Sequence, residues 1–197
     1  MASLEAPRRI TELDAINLIL ENAGEGGVSS IGPTSKPTAQ KAQRFLAEES
    51  IRLQSEGHNF CTLRELELQP NTDGEILLPD NILSVSQASG HYGLEVQEDG
   101  NRLFNASDNR TTFDAPITVE VVLAQPFGRL AQPVRWLVSV TAAMRFLNSE
   151  NPGSAGLRVT SADVAQANVS FQRYDRRLRK GGLRQHNPFI KRMRGNR

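Results

Sequence analysis

The first sixty residues space their apolar positions as two helices would. Over residues 12–23 apolar side chains recur every three or four positions and form one helical face. Thr11 followed three residues later by Asp14 is typical of a capping box, and Gly24 is typical of a helix end. The same spacing predicts a second helix over residues 38–56 that ends at Gly57.

From residue 62 to residue 123 the apolar spacing shortens to two, which indicates β-strands. The clearest strand is the stretch from Ile117 to Leu123, which is typical of an antiparallel strand with one buried face. Asp99-Gly100 predicts a hairpin turn. Shorter strands are predicted over residues 76–78, 82–85, 94–96, 102–105 and 111–113, and the chain is expected to leave the second helix as an extended segment near Thr62.

Two further helices are predicted after the β region. Apolar residues surround most of residues 133–148, so this helix is expected to be central and buried. A fourth helix over residues 162–180 is predicted to end at Gly181-Gly182. The predicted fold class is α+β. It has a helical bundle from residues 1–61 and 127–182, an inserted antiparallel β domain at residues 62–126, and an extended basic C-terminal arm at residues 183–197.

Composition narrows the class of protein. The 197 residues are 38% hydrophobic and 23% charged, as in a globular chain on the polar side. Cys61 is the single cysteine and cannot form an internal disulfide, which indicates synthesis in a reducing compartment. The N-terminus carries acids and no apolar run, so no secretory signal is predicted. No stretch approaches the roughly 18 apolar residues of a membrane span, so no membrane association is expected.

The net charge of +1 conceals a segregation of charge. Residues 173–197 carry ten Lys/Arg and one acid, a net +9, and the other 172 residues carry a net −8. A basic segment is attracted to phosphates or to acidic protein surfaces; the alternative is a solvated helix end with a frayed tail. Its apolar pair Phe189-Ile190 favours a protein groove. We therefore predict partner binding by Arg173, Arg176, Arg177, Arg179, Lys180, Arg184, Phe189, Ile190, Lys191, Arg192 and Arg194.

Candidate catalytic and metal-binding residues are scarce. The histidines His58, His91 and His186 lack the spacing of metal ligands. Cys61 lies three residues after His58 on a segment expected to be extended, which would point the two side chains to opposite faces. No phosphate-binding glycine motif and no serine-hydrolase motif is present. We therefore predict no catalytic, cofactor-binding or metal-binding residues, and a protein that is not an enzyme.

Five segments carry a recognisable pattern when they are taken in order. LDAIN, ILENAGE and VSSI within residues 13–31 match LDAVN…L…IGE.PVNSL. LQSEGHNFCT at residues 53–62 matches Q..GW.FNT, with His58 in place of Trp and Cys61 in place of Asn. The other three are GEILLPDN at residues 74–81, RLFN at residues 102–105 with Thr112-Phe113, and residues 127–146 with Pro133, Ala142-Ala143 and Phe146. In these segments the chain resembles the tail tubular protein A family, the tail adaptor of T7-like short-tailed bacteriophages.

The resemblance covers residues 10–150 and implies a structural virion protein of the phage tail, made in the host bacterial cytoplasm. It implies a homododecameric ring that joins the portal protein to the tail nozzle protein and gives tail fibres an attachment surface. DNA would pass through the ring's channel during ejection without sequence-specific binding, and no cofactor is implied. Subunits of a head-to-tail ring present two different complementary surfaces. The basic segment would then bind the portal or a neighbouring subunit.

Two other functions stay open at this point. The basic tail also fits a nucleic-acid-binding protein, whose affinity for DNA would fall steeply with added salt. A tail-associated enzyme acting on a cell-surface polymer would need a pair of carboxylates, and the sequence indicates none.

Overall fold

The computed structural model of the chain describes residues 8–33, 35–87 and 95–186. These residues form two compact units. The helical unit combines the chain up to Leu53 with Pro126–Arg177, and the β unit is built around Gln54–Gln125 and includes the segment that begins at Leu178. Helices and antiparallel strands lie in different stretches of the chain, so the predicted α+β class is confirmed.

Helix α1 (Glu12–Asn22) begins where the sequence predicts it. The Thr11 hydroxyl accepts a hydrogen bond from the Asp14 amide at 3.1 Å, and the Asp14 carboxylate accepts one from the Thr11 amide at 2.9 Å. Bonds from the hydroxyl and the amide of Thr11 stabilise the carboxylate and lower the pKa of Asp14. The chain leaves the helix through Gly24, whose φ of +82° favours glycine.

Helices α2 (Pro37–Ser55) and α3 (Gln132–Glu150) complete the core of the helical unit. α1 packs against α3, and the Phe45 ring of α2 meets the Phe146 ring of α3 edge to face, with 5.6 Å between centroids. The prediction that α3 is buried is confirmed. Its buried residues are Val134, Arg135, Leu137, Val138, Ser139, Val140, Ala142, Ala143, Phe146 and Leu147.

Helix α4 (Ser161–His186) begins with a second reciprocal cap. The Asp163 carboxylate accepts hydrogen bonds from the amide and the hydroxyl of Thr160 at 2.8 and 2.7 Å. The predicted end at Gly181-Gly182 is wrong, because the helix continues to His186. Two glycines cost a helix about 1 kcal/mol each relative to alanine, which weakens a helix without forcing it to end. Residues 183–186 are therefore helical, and residues 187–197 of the predicted arm lie outside the described residues.

The β unit contains a three-stranded antiparallel sheet in the order β1-β5-β2 and a separate hairpin of β3 and β4. The strands are β1 (Thr62–Leu68), β2 (Ile82–Gln87), β3 (Val96–Asp99), β4 (Arg102–Asn105) and β5 (Ile117–Leu123). The hairpin turns at Gly100, with a φ of +62°, which confirms the turn predicted at Asp99-Gly100. The strands expected over residues 76–78 and 111–113 form only single bridges, through Leu77 and Thr112.

The central strand β5 is more buried than its alternation predicts. Val119 and Val121 point into the core of the β unit and have no exposed surface, as expected for one face. Val122, on the opposite face, is also buried, and one of its methyl groups lies 3.6 Å from the Cβ position of Gly57. The core of the unit is formed by Ile76, Leu78, Val96, Leu103, Phe113, Val119 and Val121.

Two side-chain amides each make two hydrogen bonds to the backbone of one loop residue, as a neighbouring β-strand would. The amide of Asn17 donates to the Val28 carbonyl at 3.0 Å and accepts from the Val28 N–H at 2.8 Å. The amide of Gln54 makes the same two bonds to the backbone of Gln125, at 3.2 and 2.7 Å. Asn17 and Gln54 belong to the first two segments of the sequence pattern, so those segments fix the paths of connecting loops.

Candidate interaction surface

The inner side of α4 carries a narrow buried stripe. Ala167, Phe171 and Asp175 follow at intervals of four residues, and each is less than a tenth exposed. Tyr174 flanks the stripe, and its pKa is raised by burial first and by the charge of Asp175 second, against the opposing charge of Arg9. These buried side chains identify the side of α4 that packs against the rest of the helical unit.

The outer side of α4 carries the first four residues of the predicted partner-binding segment. Arg173, Arg176, Arg177 and Arg179 are all exposed. Within the part of the chain that the structure describes, no carboxylate lies within 4 Å of any of the four guanidinium groups. Some other arginines of the helical unit are paired, as where Arg145 reaches Glu49 at 2.8 Å. The α4 arginines therefore form a cationic surface that the described chain leaves uncompensated.

Apolar side chains interrupt this cationic surface. Val169 is 47% exposed and lies four and seven residues before Arg173 and Arg176, so the three share one face of the helix. Leu178 is 44% exposed, although it continues the line of the buried stripe. Val169 cannot be recognised from the sequence, because a single valine in a polar helix carries no signal until its exposure is known.

The structure brings together only part of the predicted segment. Lys180 and Arg184 lie on α4, whose backbone is described at both positions. The remaining residues of the prediction lie outside the described residues; they are Phe189, Ile190, Lys191, Arg192 and Arg194. The described part of the segment is therefore a helical surface, where the sequence predicted mostly an arm.

Acidic charge is concentrated in the stretch from residue 54 to residue 125, although the β unit as a whole also includes the basic segment that begins at Leu178. Residues 54–125 carry twelve Asp/Glu and three Lys/Arg, a net −9, whereas residues 126–197 carry three acids and fourteen bases, a net +11. Several exposed carboxylates of the β unit have no basic side chain within 4 Å among the described residues: Asp73, Asp80, Glu95 and Asp99. Two surfaces of opposite charge thus lie in different stretches of one chain.

The only local Cys/His pair is not arranged as expected. Residues 58–61 form a turn in place of an extended segment, since the Cys61 amide donates to the His58 carbonyl at 3.1 Å. The Cys61 thiol is buried, 3.3 Å from the same carbonyl oxygen. The His58 ring stacks on Phe60 and lies 2.9 Å from the Glu56 carboxylate. His91 and the side chain of His186 lie outside the described residues.

Metal ligands do not converge in residues 8–33, 35–87 and 95–186: no three His, Cys, Asp or Glu side chains there are placed to hold one ion. Among the described helices, none combines the length and the apolar character needed to cross a bilayer.

Comparison with known proteins gives two concordant findings. A family model described as "Tail tubular protein" matches residues 13–181, which is most of the chain. A protein of Klebsiella phage KP34, named "Tail tubular protein A", is 38% identical over 140 residues. That alignment covers 70% of this chain and 72% of the phage protein.

Proposed function

The chain belongs to the tail tubular protein family, and from that premise we propose that it is the ring-forming adaptor of a short-tailed phage. It is a structural component of a bacteriophage tail and so of the virion. The proposed ring is a homododecamer that joins the portal protein to the tail nozzle protein. Its outside would give tail fibres an attachment surface, and its channel would carry DNA during ejection without sequence-specific binding.

The observation that supports the adaptor function is the family match over residues 13–181, and the distribution of charge is compatible with a ring. A closed head-to-tail ring needs two different, complementary surfaces on each subunit. The outer side of α4 is cationic and has no carboxylate partner among the described residues, and the stretch of residues 54–125 carries a net −9.

We assign the partner-binding role to the basic segment, from Arg173 to Arg194, with the portal or a neighbouring subunit as its target. Cations on a helix and its continuation attract an acidic surface at long range and set the orientation of binding. The proposed function requires no catalytic group, no metal and no cofactor, so the protein would act by assembly alone.

The test is native mass measurement of the full-length protein alone and mixed with a portal ring. We expect the portal mixture to contain an assembly with twelve copies of this chain, in keeping with the proposed dodecamer. Deletion of residues 182–197 should leave a folded protein that no longer binds portal rings. Because α4 continues to His186, the first deletion also removes the end of this helix. A second deletion, of residues 187–197 alone, keeps the helix intact and therefore tests the residues after the helix separately. A chain that stays monomeric beside the portal ring would contradict the adaptor function, and unchanged binding by both deletions would contradict the assigned segment.

A nucleic-acid-binding function is the second candidate, because uncompensated arginines also attract phosphates. It predicts an affinity for DNA that falls steeply with salt, by roughly one power of salt concentration for each phosphate contacted. The adaptor function predicts that the chain binds DNA weakly and that its assembly depends strongly on the portal.

A further inference from the structure

We propose that Gln54 clasps the two ends of the β insertion, the stretch of residues 54–125, so that the helical unit can open transiently while the insertion stays folded. The chain leaves the helical unit between Leu53 and Gln54 and returns to it between Gln125 and Pro126. A third passage lies within α4, outside this stretch. The clasp is a property of the single chain and does not depend on the proposed ring.

The side chain of Gln54 joins two positions that are 71 residues apart in the sequence. Its amide nitrogen donates to the Gln125 carbonyl at 3.2 Å, and its oxygen accepts from the Gln125 N–H at 2.7 Å. Gln54 has no exposed surface, so water does not compete for these two bonds. The Gln125 side chain adds a third bond, to the Phe60 carbonyl at 3.0 Å. The two ends of the insertion are therefore held together by contacts that lie within the insertion.

The insertion has a core and strand pairing of its own. The five described strands and the seven core residues of the β unit all lie within residues 54–125. Backbone bonds tie the sheet to the clasped ends, since Leu123 donates to the Cys61 carbonyl at 2.8 Å and Ala124 donates to the Asn81 carbonyl at 2.7 Å. Within the described part of the chain, neither this core nor these strand pairs include a residue of the helical unit.

Loop-closure entropy gives the clasp its effect. Holding the two ends of a chain segment together costs free energy, and the cost grows with the logarithm of the segment's length. While the helical unit is folded it also holds these ends, because Leu53 and Pro126 both belong to it. When the helical unit opens, the clasp still holds them. β1 and β5 therefore stay paired during such an opening if Gln54 is present, and they separate more often if it is replaced.

Hydrogen exchange in a double-mutant cycle tests the clasp on the full-length chain. Arg135→Met opens the helical unit more often, because it removes the donor from three carbonyl groups there. Peptides from α1 and α3 should then exchange at least about tenfold faster, while peptides from β1 and β5 exchange as in the unchanged chain. Gln54→Met keeps a side chain of similar length and removes both bonds to Gln125. In the double variant, β1 and β5 should exchange at least about tenfold faster than in either single variant.

The control is Gln69→Met, the same substitution at an exposed glutamine of the insertion. Combined with Arg135→Met, it should leave β1 and β5 as protected as Arg135→Met alone does. Circular dichroism should show all variants folded. If Gln54→Met does not fold, Gln125→Met takes its place in the cycle with the same expected order of rates, because it removes only the bond to Phe60.

Two results would overturn the clasp. Faster exchange of β1 and β5 in Arg135→Met alone would show that the insertion opens together with the helices. Equal protection of both strands in Arg135→Met and in the double variant would show that the insertion stays folded without Gln54.

Discussion

The guanidinium group of Arg135 donates a hydrogen bond to the carbonyl oxygen of Ile10 at 2.7 Å, joining α3 to the segment that precedes α1. It also donates to the carbonyls of Leu130, at 2.7 Å, and Gly128. Arg135 is only 6% exposed, and burial, followed by the neighbouring charge of Arg9, lowers its pKa. Three carbonyl groups thus replace the water that the cation loses, which makes Arg135 a structural clamp within the helical unit.

Arg135→Met should destabilise the helical unit by about 3 kcal/mol, because buried carbonyls that lose their donors each cost about 1–3 kcal/mol. Methionine keeps most of the apolar stem, so the loss reports on the hydrogen bonds and not on a cavity. Chemical denaturation measures it. The control is Arg129→Met, since Arg129 is exposed, and it should change stability by less than about 0.5 kcal/mol. Equal effects of the two changes would exclude the clamp.

Gly156→Ala should also destabilise the helical unit, through Asn22. The Asn22 side-chain oxygen accepts hydrogen bonds from the amides of Arg158 and Val159 at 3.0 and 2.8 Å. A Cβ atom at Gly156 would lie 2.3 Å from the Val159 carbonyl oxygen and 2.5 Å from that Asn22 oxygen. The loop must shift and these bonds must lengthen, so we expect a loss of about 1–3 kcal/mol in thermal or chemical unfolding.

Gly26→Ala is the matched control, because a Cβ atom there meets nothing within 4 Å. Its backbone needs no positive φ, so alanine should be neutral or slightly stabilising, by up to about 1 kcal/mol. A Gly156→Ala protein as stable as the Gly26→Ala protein would show that the loop relaxes freely around Asn22.

Elements that depend on neighbours in the sequence could be predicted, and contacts between distant residues could not. The cap of α1 links Thr11 to Asp14, three residues apart, so its chemistry is visible in the sequence. The clamp by Arg135 joins positions 125 residues apart, and an arginine within an apolar helix gives no sign of its carbonyl partners. The end of α4 was predicted wrongly because Gly181-Gly182 lowers helix propensity without breaking hydrogen bonds.

The cationic charge of the candidate surface could be predicted from the sequence, but its helical structure could be predicted only in part. A run of arginines near position 175 is evident from charge alone, and Arg173 and Arg177 are exposed as that prediction requires. Exposed acids of the β unit such as Asp80 were not predicted to form a surface, because they are scattered singly along the sequence. The unit that contains these acids also contains the basic segment that begins at Leu178, and its net charge is only −2.

Glu49 should make the stability of the helical unit depend on pH. Its side chain is 1% exposed, and it accepts hydrogen bonds from Arg52 at 3.0 Å and from Arg145 at 2.8 Å. Burial raises the pKa of Glu49, but the bonds and charges of the two arginines outweigh burial and hold it below its ordinary value of 4.5. A lowered pKa means that the folded state binds the proton more weakly than the unfolded state. The carboxylate therefore stabilises the fold above about pH 4.5, and this contribution is lost as the pH falls through the lowered value.

Glu49→Gln removes that contribution and should cost about 2 kcal/mol at pH 7, since hydrogen bonds to a charged group contribute about 1.5–3 kcal/mol. Denaturation curves of both proteins between pH 7 and pH 3 should converge below about pH 4.5. Glu48→Gln is the control. Glu48 has the same charge and faces the same Arg145 at 3.7 Å, but its side chain is 49% exposed, so its pair contributes less than about 1 kcal/mol. A stability difference for Glu49→Gln that stays constant down to pH 3 would show that the titrating charge of Glu49 is not what holds α2 against α3.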